Sequence, residues 1–166
     1  MPSVTGLGHV GLYVEDVDKM VDFYSKFLGL KVTDQAADGR ITFLSAKPGE
    51  EHHELALARS TELKTNAQQI SFTVGSLADL KAFYHEIKAQ NMPIDRVISH
   101  GNAFGCYFRD PEGNRVEVYW HTGKDYPQPH GDPIDLEMSD QELMDIVANM
   151  PPKEHEVYQG ATAVMR

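Results

Sequence analysis

The sequence predicts an α+β protein built from two copies of one βαβββ unit. Three observations carry the prediction. At 166 residues the chain is one ordinary domain's worth and can hold a core without cross-links. GHVGLYVEDVDKMVDFYSKF and QQISFTVGSLADLKAFYHEI share one pattern, with His9 falling on Gln69, Val10 on Ile70, Leu12 on Phe72, Met20 on Leu80 and Phe23-Tyr24 on Phe83-Tyr84. Each copy opens with period-two alternation and continues with a helical apolar stripe.

In the opening strands Val10, Leu12, Val14 and Ile70, Phe72, Val74 form apolar faces. The opposite faces carry His9, Gly11, Tyr13 and Gln69, Ser71, Thr73, polar enough to line a cavity. Asp16 can cap the first helix, whose stripe runs from Val17 through Met20, Val21, Tyr24 and Phe27 to Leu28, with Gly29 at the expected C′ position. Ser76 can cap the second, with Leu77, Leu80, Phe83, Tyr84 and Ile87 as its stripe. Three short extended runs complete each unit. They are expected near 30–35, 40–46 and 52–58 in the first, and 95–100, 104–109 and 115–121 in the second, punctuated by Asp38-Gly39, Pro48-Gly49 and Asp110-Pro111-Glu112-Gly113. Residues 59–67 read as a polar linker. The tail from about 123 begins with the irregular YPQPHGDP; Ser139 and Glu142 then make a capping-box start for a helix near 140–149. It reads as an added lid, a partner arm or a frayed end.

Composition excludes several function classes. Fifteen basic against 25 acidic residues give a net charge of −10, a field that repels phosphate backbones and anionic membrane surfaces, so neither nucleic acid nor membrane is an expected partner. The single cysteine, Cys106, forbids an intrachain disulfide. The start MPSVTGLGHV lacks signal-peptide features, and no apolar run approaches the roughly 18 residues of a membrane helix, so a cytoplasmic location is expected.

The paired repeat, GHVGLYVEDVDKMVDFYSKFLGL and above all YFRDPEGNRVEV resemble the vicinal oxygen chelate superfamily, which includes glyoxalase I, methylmalonyl-CoA epimerase, bleomycin and fosfomycin resistance proteins and extradiol ring-cleaving dioxygenases. The resemblance covers about residues 5–121. It implies an eight-stranded, incompletely closed, barrel-like cup around a divalent metal. The domain would span 1–122, with module one about 5–58 and module two about 68–121, followed by a C-terminal extension over 123–166. It also implies that metal ligands come from the opening and last strands of the units: His9, Gln69 and Glu117, with Glu54 added in an alternative reading. Hard or borderline N and O donors facing inward suit such a site. Glu117 lies between Val116 and Val118, where a buried unpaired carboxylate is expensive and a cation compensates it. Its other reading is an exposed residue on an edge strand, and that of His9 a hydrogen-bonded core histidine.

Among superfamily members the extradiol dioxygenases are most similar at the remaining polar positions: the His52-His53 pair, His100 and Asn102 before YFRDPEG, and Tyr107 ten residues before Glu117. This likeness implies His53 as acid/base, Tyr107 as hydrogen-bond partner of a substrate oxygen and His100 as a third catalytic residue. It further implies His52 and Asn102 as substrate-binding residues, Fe(II) or Mn(II) as the metal, a small aromatic catechol-like substrate, O2, and a homodimer. Gln69 stands where those enzymes carry a second histidine, and an amide oxygen is the weaker donor. Alternation puts His53 on the face of Leu55 and Leu57, so it reaches a cavity only through a bulge or altered register; His52 shares the face of Glu54.

Two other functions are read from the same resemblance. One is a glyoxalase- or epimerase-like lyase or isomerase using His9, Glu54, Gln69 and Glu117 with Ni(II), Co(II) or Zn(II). The other is a ligand-binding protein like the bleomycin-resistance relatives, with no catalytic metal. Outside these sets, His85 reads as solvated, and His121, His130 and His155 as tail or near-tail residues. Cys106 reads as a small packed residue, while Phe104, Tyr107, Tyr119 and Trp120 suit either a cavity wall or the core.

Overall fold

A computed structural model describes residues 8–62, 67–127 and 130–152. Residues 5–7 of the expected first module, 63–66 of the linker, and 128–129 and 153–166 of the extension, with His155, lie outside the described residues. The chain divides into two compact units, Met1–Gln69 with Arg109–Arg115, and Ile70–Phe108 with Val116–Arg166. Both combine a mixed sheet with helices, so the fold is α+β as expected.

In the first unit β1 (Val10–Val14), β2 (Lys31–Gln35), β3 (Ile41–Ser45) and β4 (Leu55–Arg59) form a sheet in the order β1-β4-β3-β2. β1 and β4 run parallel, with Val10 opposite Leu55 and Leu12 opposite Leu57; the other pairs are antiparallel. Leu12, Val14, Leu44, Leu55 and Leu57 are buried together with Val17 and Met20 of α1 (Val17–Asp22). Asp16 caps α1 by accepting the Lys19 N–H at 3.0 Å. The expected single helix is broken into two kinds of turn, because Phe23–Phe27 is π-helical, with the Leu28 N–H donating to the Phe23 carbonyl at 3.3 Å. The widened turn lets the Phe23 and Phe27 rings stack at 5.3 Å, and Gly29 ends it at φ +82°.

The RDPEGNR segment braces the start of this helix. Both Glu112 carboxylate oxygens accept the Glu15 N–H, at 3.0 and 2.9 Å, and one also accepts that of Asp16 at 2.8 Å. Asp110 accepts the N–H groups of Glu112 and Asn114 at 3.0 and 2.8 Å and the buried Tyr24 hydroxyl at 3.1 Å. An acidic side chain at a helix N-terminus satisfies orphan donors and complements the dipole, so this motif is architecture.

The second unit holds β5 (Ile70–Thr73), β6 (Ile94–Ser99), β7 (Ala103–Arg109), β8 (Arg115–His121) and β9 (Asp132–Pro133) in the order β5-β8-β7-β6-β9. β5 and β8 are parallel, with Ser71 opposite Glu117; β6 is antiparallel to β7 and β9. Ser76 caps α2 (Leu77–Ala89), and Leu77, Leu80 and Ile87 are its buried stripe. The described residues thus form nine strands where eight were expected, in sheets of four and five that do not close into a barrel. The extra strand comes from the Pro-rich stretch: Pro133 needs no ladder N–H at a sheet edge, and pairs opposite Ile98.

The described part of the extension is packed. α3 (Asp140–Ala148) starts at the expected capping box of Ser139 and Glu142, and Leu136, Leu143 and Val147 are essentially inaccessible. Lys81 pairs with Asp140 at 2.8 Å and Lys88 with Glu137 at 2.6 Å, tying the extension to α2. Among the described residues no helix is long and apolar enough to cross a membrane.

Candidate functional site

Alternation along β7 and β8 sorts the second unit's side chains into two sets. Phe104, Cys106, Phe108, Val116 and Val118 are fully buried. Tyr107, Glu117, Tyr119 and His121 instead line a cavity of about 300 Å³, together with Ser71 of β5 and with His100, Asn102 and Ala103 around the β6–β7 turn. Glu117 is 6% exposed, yet one oxygen accepts the Ser71 hydroxyl at 2.5 Å. Gly105 makes the room it occupies: a Cβ there would stand 2.5 Å from Glu117 Oε1 and 3.2 Å from Tyr107 Cε2.

Tyr107 is also hydrogen-bonded to Glu117. Burial first, then this bond and the carboxylate's charge, push its hydroxyl up to about 12, while Arg96, 4.2 Å over the ring, acts in the opposite direction. It is a neutral phenol at physiological pH. His100 touches it too, with Nε2 2.9 Å from the hydroxyl, while Nδ1 lies 2.6 Å from the His130 carbonyl. A carbonyl only accepts, so Nδ1 carries a proton; in the Nδ1–H tautomer Nε2 is then an acceptor that shares the phenol's single proton with Glu117.

The first unit gathers a separate histidine group. The His9 and His53 rings lie 4.2 Å apart, Phe43 stands 4.8 Å from His53, and the Nδ1 atoms of His52 and His53 are 2.9 Å apart. β4 begins at Leu55, so His53 precedes the strand and escapes its alternation. Its ring meets Phe43, which pairs opposite Ala56 and shares that residue's face of the sheet rather than that of Leu55. Burial, then the neighbouring His9 and His52, holds the His53 pKa below the ordinary histidine value. His52 is more exposed and its Nε2 lies 3.5 Å from Asp34. Glu54 turns away to other work: one carboxylate oxygen accepts the Ala46 N–H at 2.7 Å and the Ser45 hydroxyl at 3.2 Å, fixing the loop between β3 and β4.

Of the expected site residues, the second unit therefore brings together His100, Asn102, Tyr107 and Glu117, and the first brings together His9, His52 and His53. Gln69 is half-buried at the end of the first unit's main segment, and Glu54 has structural partners. Ser71 was placed on a cavity-lining face but given no role, and Gly105 and His121 were not picked out as site residues. Period two was the signal for Ser71 and His121, which are two residues beyond Gln69 and Tyr119; Gly105 had none, because its role exists only opposite Glu117. Tyr119 lines the cavity, whereas Phe104 packs with Trp120 at 6.2 Å. Cys106 is buried and its thiol is pushed up to about 12, first by burial and then by Glu117, as suits a packing residue.

Glu117 brings a carboxylate to the cavity wall, where the Ser71 and Tyr107 hydroxyls are among its partners. Among the described residues no group of three or more His, Cys, Asp or Glu side chains is placed to hold a metal ion. The expected set of His9, Gln69 and Glu117 contains only two residues of those kinds.

Residues 6–118 match the Glyoxalase/Bleomycin resistance protein/Dioxygenase superfamily model. Metapyrocatechase of Geobacillus stearothermophilus is 27% identical over 76% of this chain, and a manganese-dependent 2,3-dihydroxybiphenyl 1,2-dioxygenase of Geobacillus genomosp. 3 is 25% identical over 74%. The chain spans only 38% of the length of either enzyme. A glyoxalase domain-containing protein of Mycosarcoma maydis is 31% identical over 70% of this chain and 68% of its own length. Among solved structures, a glyoxalase/dioxygenase from Nostoc punctiforme superposes with a TM-score of 0.58 at 20% identity, covering 73% of this chain and 98% of that one.

Proposed function

This chain belongs to the Glyoxalase/Bleomycin resistance protein/Dioxygenase superfamily, and from that premise we propose that it is a metal-dependent, extradiol-type ring-cleaving dioxygenase acting on a catechol-like aromatic with O2. The observation that carries the proposal is the cavity in which a buried carboxylate, a neutral tyrosine and a histidine with one lone pair turned to that tyrosine come together. Two dioxygenase relatives support it.

The proposed metal ligands are His9, Gln69 and Glu117, with Fe(II) or Mn(II). When bound, such a metal lowers the pKa of the vicinal oxygens of a catechol and offers open positions for reaction. The remaining roles belong to the protein. Glu117 is held by Ser71 at Oε2 and by the space over Gly105 at Oε1, so its orientation is set before ligand arrives. Tyr107 keeps its proton at neutral pH and can donate to a substrate oxygen. When Tyr107 is not donating to substrate, its hydroxyl can donate a hydrogen bond to His100 Nε2 instead, the phenol keeping its proton. His53, held neutral, accepts a proton from a substrate hydroxyl, while His52 and Asn102 contribute to substrate binding. The structural bonds of Glu54 favour this reading over the four-ligand lyase set.

The test is bound metal per chain after anaerobic loading with Fe(II), Mn(II), Ni(II) or Zn(II), followed by oxygen uptake on a catechol panel. The expected result is about one Fe(II) or Mn(II) per chain, lost in Glu117→Ala, with oxygen consumed only when metal and catechol are both present. No stoichiometric metal under any loading would leave a ligand-binding protein instead.

A further inference from the structure

The partner of His100 Nδ1 comes from outside the range that the superfamily matches, which ends at residue 118. We propose that the C-terminal extension is a positioning element of the site: through the His130 carbonyl it fixes His100 as the Nδ1–H tautomer and so keeps Nε2 as the acceptor that faces Tyr107.

The geometry is built from three sides. His100 sits at the β6–β7 turn, with its N–H donated to the Ala103 carbonyl at 2.8 Å and Gly101 following at φ +77°. The Thr122 hydroxyl donates to the Gly101 carbonyl at 2.7 Å, and the Thr122 N–H to that of Asn102 at 3.0 Å. Tyr126 then closes the turn from the extension. Its buried ring lies so near Gly101 that a Cβ there would be 2.7 Å from Cγ, and it packs against the His130 ring at 4.8 Å. That ring pair delivers the His130 carbonyl to His100 Nδ1 at 2.6 Å.

The delivering segment is anchored on both sides. β9 pairs with β6, the Tyr126 hydroxyl donates to the Pro151 carbonyl at 2.9 Å, and Lys124 donates to the carbonyls of Val147 and Ala148 at the end of α3. A histidine in a turn could otherwise protonate either ring nitrogen; which one is set by the hydrogen bond the other makes. Loss of the carbonyl would leave Nε2 protonated for part of the time and turn an acceptor into a competing donor.

The proposal rests on His100 and Tyr107 being site residues, but its test does not need turnover. Histidine-selective ¹⁵N labelling of the full chain, recorded without metal above the histidine titration range, reports the proton position on each ring. His100 is assigned from the peak missing in His100→Gln. A non-protonated Nε2 and a protonated Nδ1 are expected in wild type and in Tyr126→Phe, which keeps the ring. Tyr126→Ala should bring Nε2 into exchange between protonated and free. Should that variant fail to fold, His130→Gly, which removes the ring partner but leaves a carbonyl, is read by the same criterion. Protonation of Nε2 in wild type, alone or with Nδ1, overturns the proposal, as does a wild-type tautomer in every folded variant. If the tautomer behaves as expected but no metal binds and no oxygen is consumed, the dioxygenase reading fails while the positioning role stands.

Discussion

Replacing Gly105 by alanine asks whether the space beside Glu117 is built for its carboxylate. The added methyl would stand 2.5 Å from Oε1, where real Cβ contacts keep at least 3.0 Å, so something must yield by about half an ångström. The carboxylate cannot swing freely, because its other oxygen holds the Ser71 hydroxyl, and the added methyl itself has only 3.2 Å to the Tyr107 ring. Overpacking of a buried site costs about 1–3 kcal/mol. At roughly 2–4 °C per kcal/mol for a chain of this length, Tm should fall by about 2–12 °C. The diagnostic quantity is the coupling. In a Glu117→Ala background the 2.5 Å contact is gone, so Gly105→Ala should cost less than in wild type by more than about 0.5 kcal/mol, the margin within which independent sites add. Urea unfolding of the wild type, both single variants and the double variant, followed by circular dichroism, gives all four stabilities. Equal cost of Gly105→Ala in both backgrounds would refute the reasoning, since the strain would then lie in the strand and not at the carboxylate.

Other perturbations separate the framework from the site. Leu136→Ala empties a fully buried position of the extension and should cost about 2–5 kcal/mol in urea unfolding; a loss below about 1 kcal/mol would mean that the extension is no part of the second unit's core. The Lys88 hydrogen bond, with His85 behind it, holds the Glu137 carboxyl below the usual carboxylate range, so its folded pKa is lower than its unfolded one. Its contribution is therefore present above the unfolded value and lost as pH falls through the folded one. The stability difference between wild type and Glu137→Gln should shrink with acidification, and a difference that grows would reverse the assignment. The homodimer expected from the resemblance predicts a light-scattering mass near twice 18.6 kDa, against 18.6 kDa for a monomer.

Period two made the sheets legible. It separated Glu117 from Val116 and Val118, and it would have sorted Phe104 from Tyr107 had strand faces been assigned along all of β7. Caps were equally readable, because Asp16, Ser76 and Ser139 act through bonds to residues three positions away. What escaped depends on contacts distant in sequence. His53 was placed by alternation in a strand that starts two residues later, and its approach to His9 is a tertiary fact. β9 hides in a Pro-rich stretch with no apolar alternation, since an edge strand of two residues needs only a partner. The His130 carbonyl is invisible to any motif because the backbone does the work.

The two helix starts show how a duplicated unit can divide its labour. Each helix has the same need, orphan N–H groups in its first turn. α2 meets it locally, with the Ser76 hydroxyl accepting the Asp79 N–H at 3.1 Å. α1 has Asp16 and also borrows Glu112, whose three hydrogen bonds come from almost a hundred residues away. The carboxylate most conspicuous in DPEGN is thereby committed to the framework, whereas Glu117, five positions on, faces a cavity. Glu112→Ala should accordingly cost about 1.5–3 kcal/mol, the range for hydrogen bonds to a charged group, and leave bound metal per folded chain unchanged. Glu117→Ala should do the reverse to metal. Loss of metal in a folded Glu112→Ala protein would show that the helix start and the site are one cooperative structure, and the proposed separation of framework from chemistry would fall.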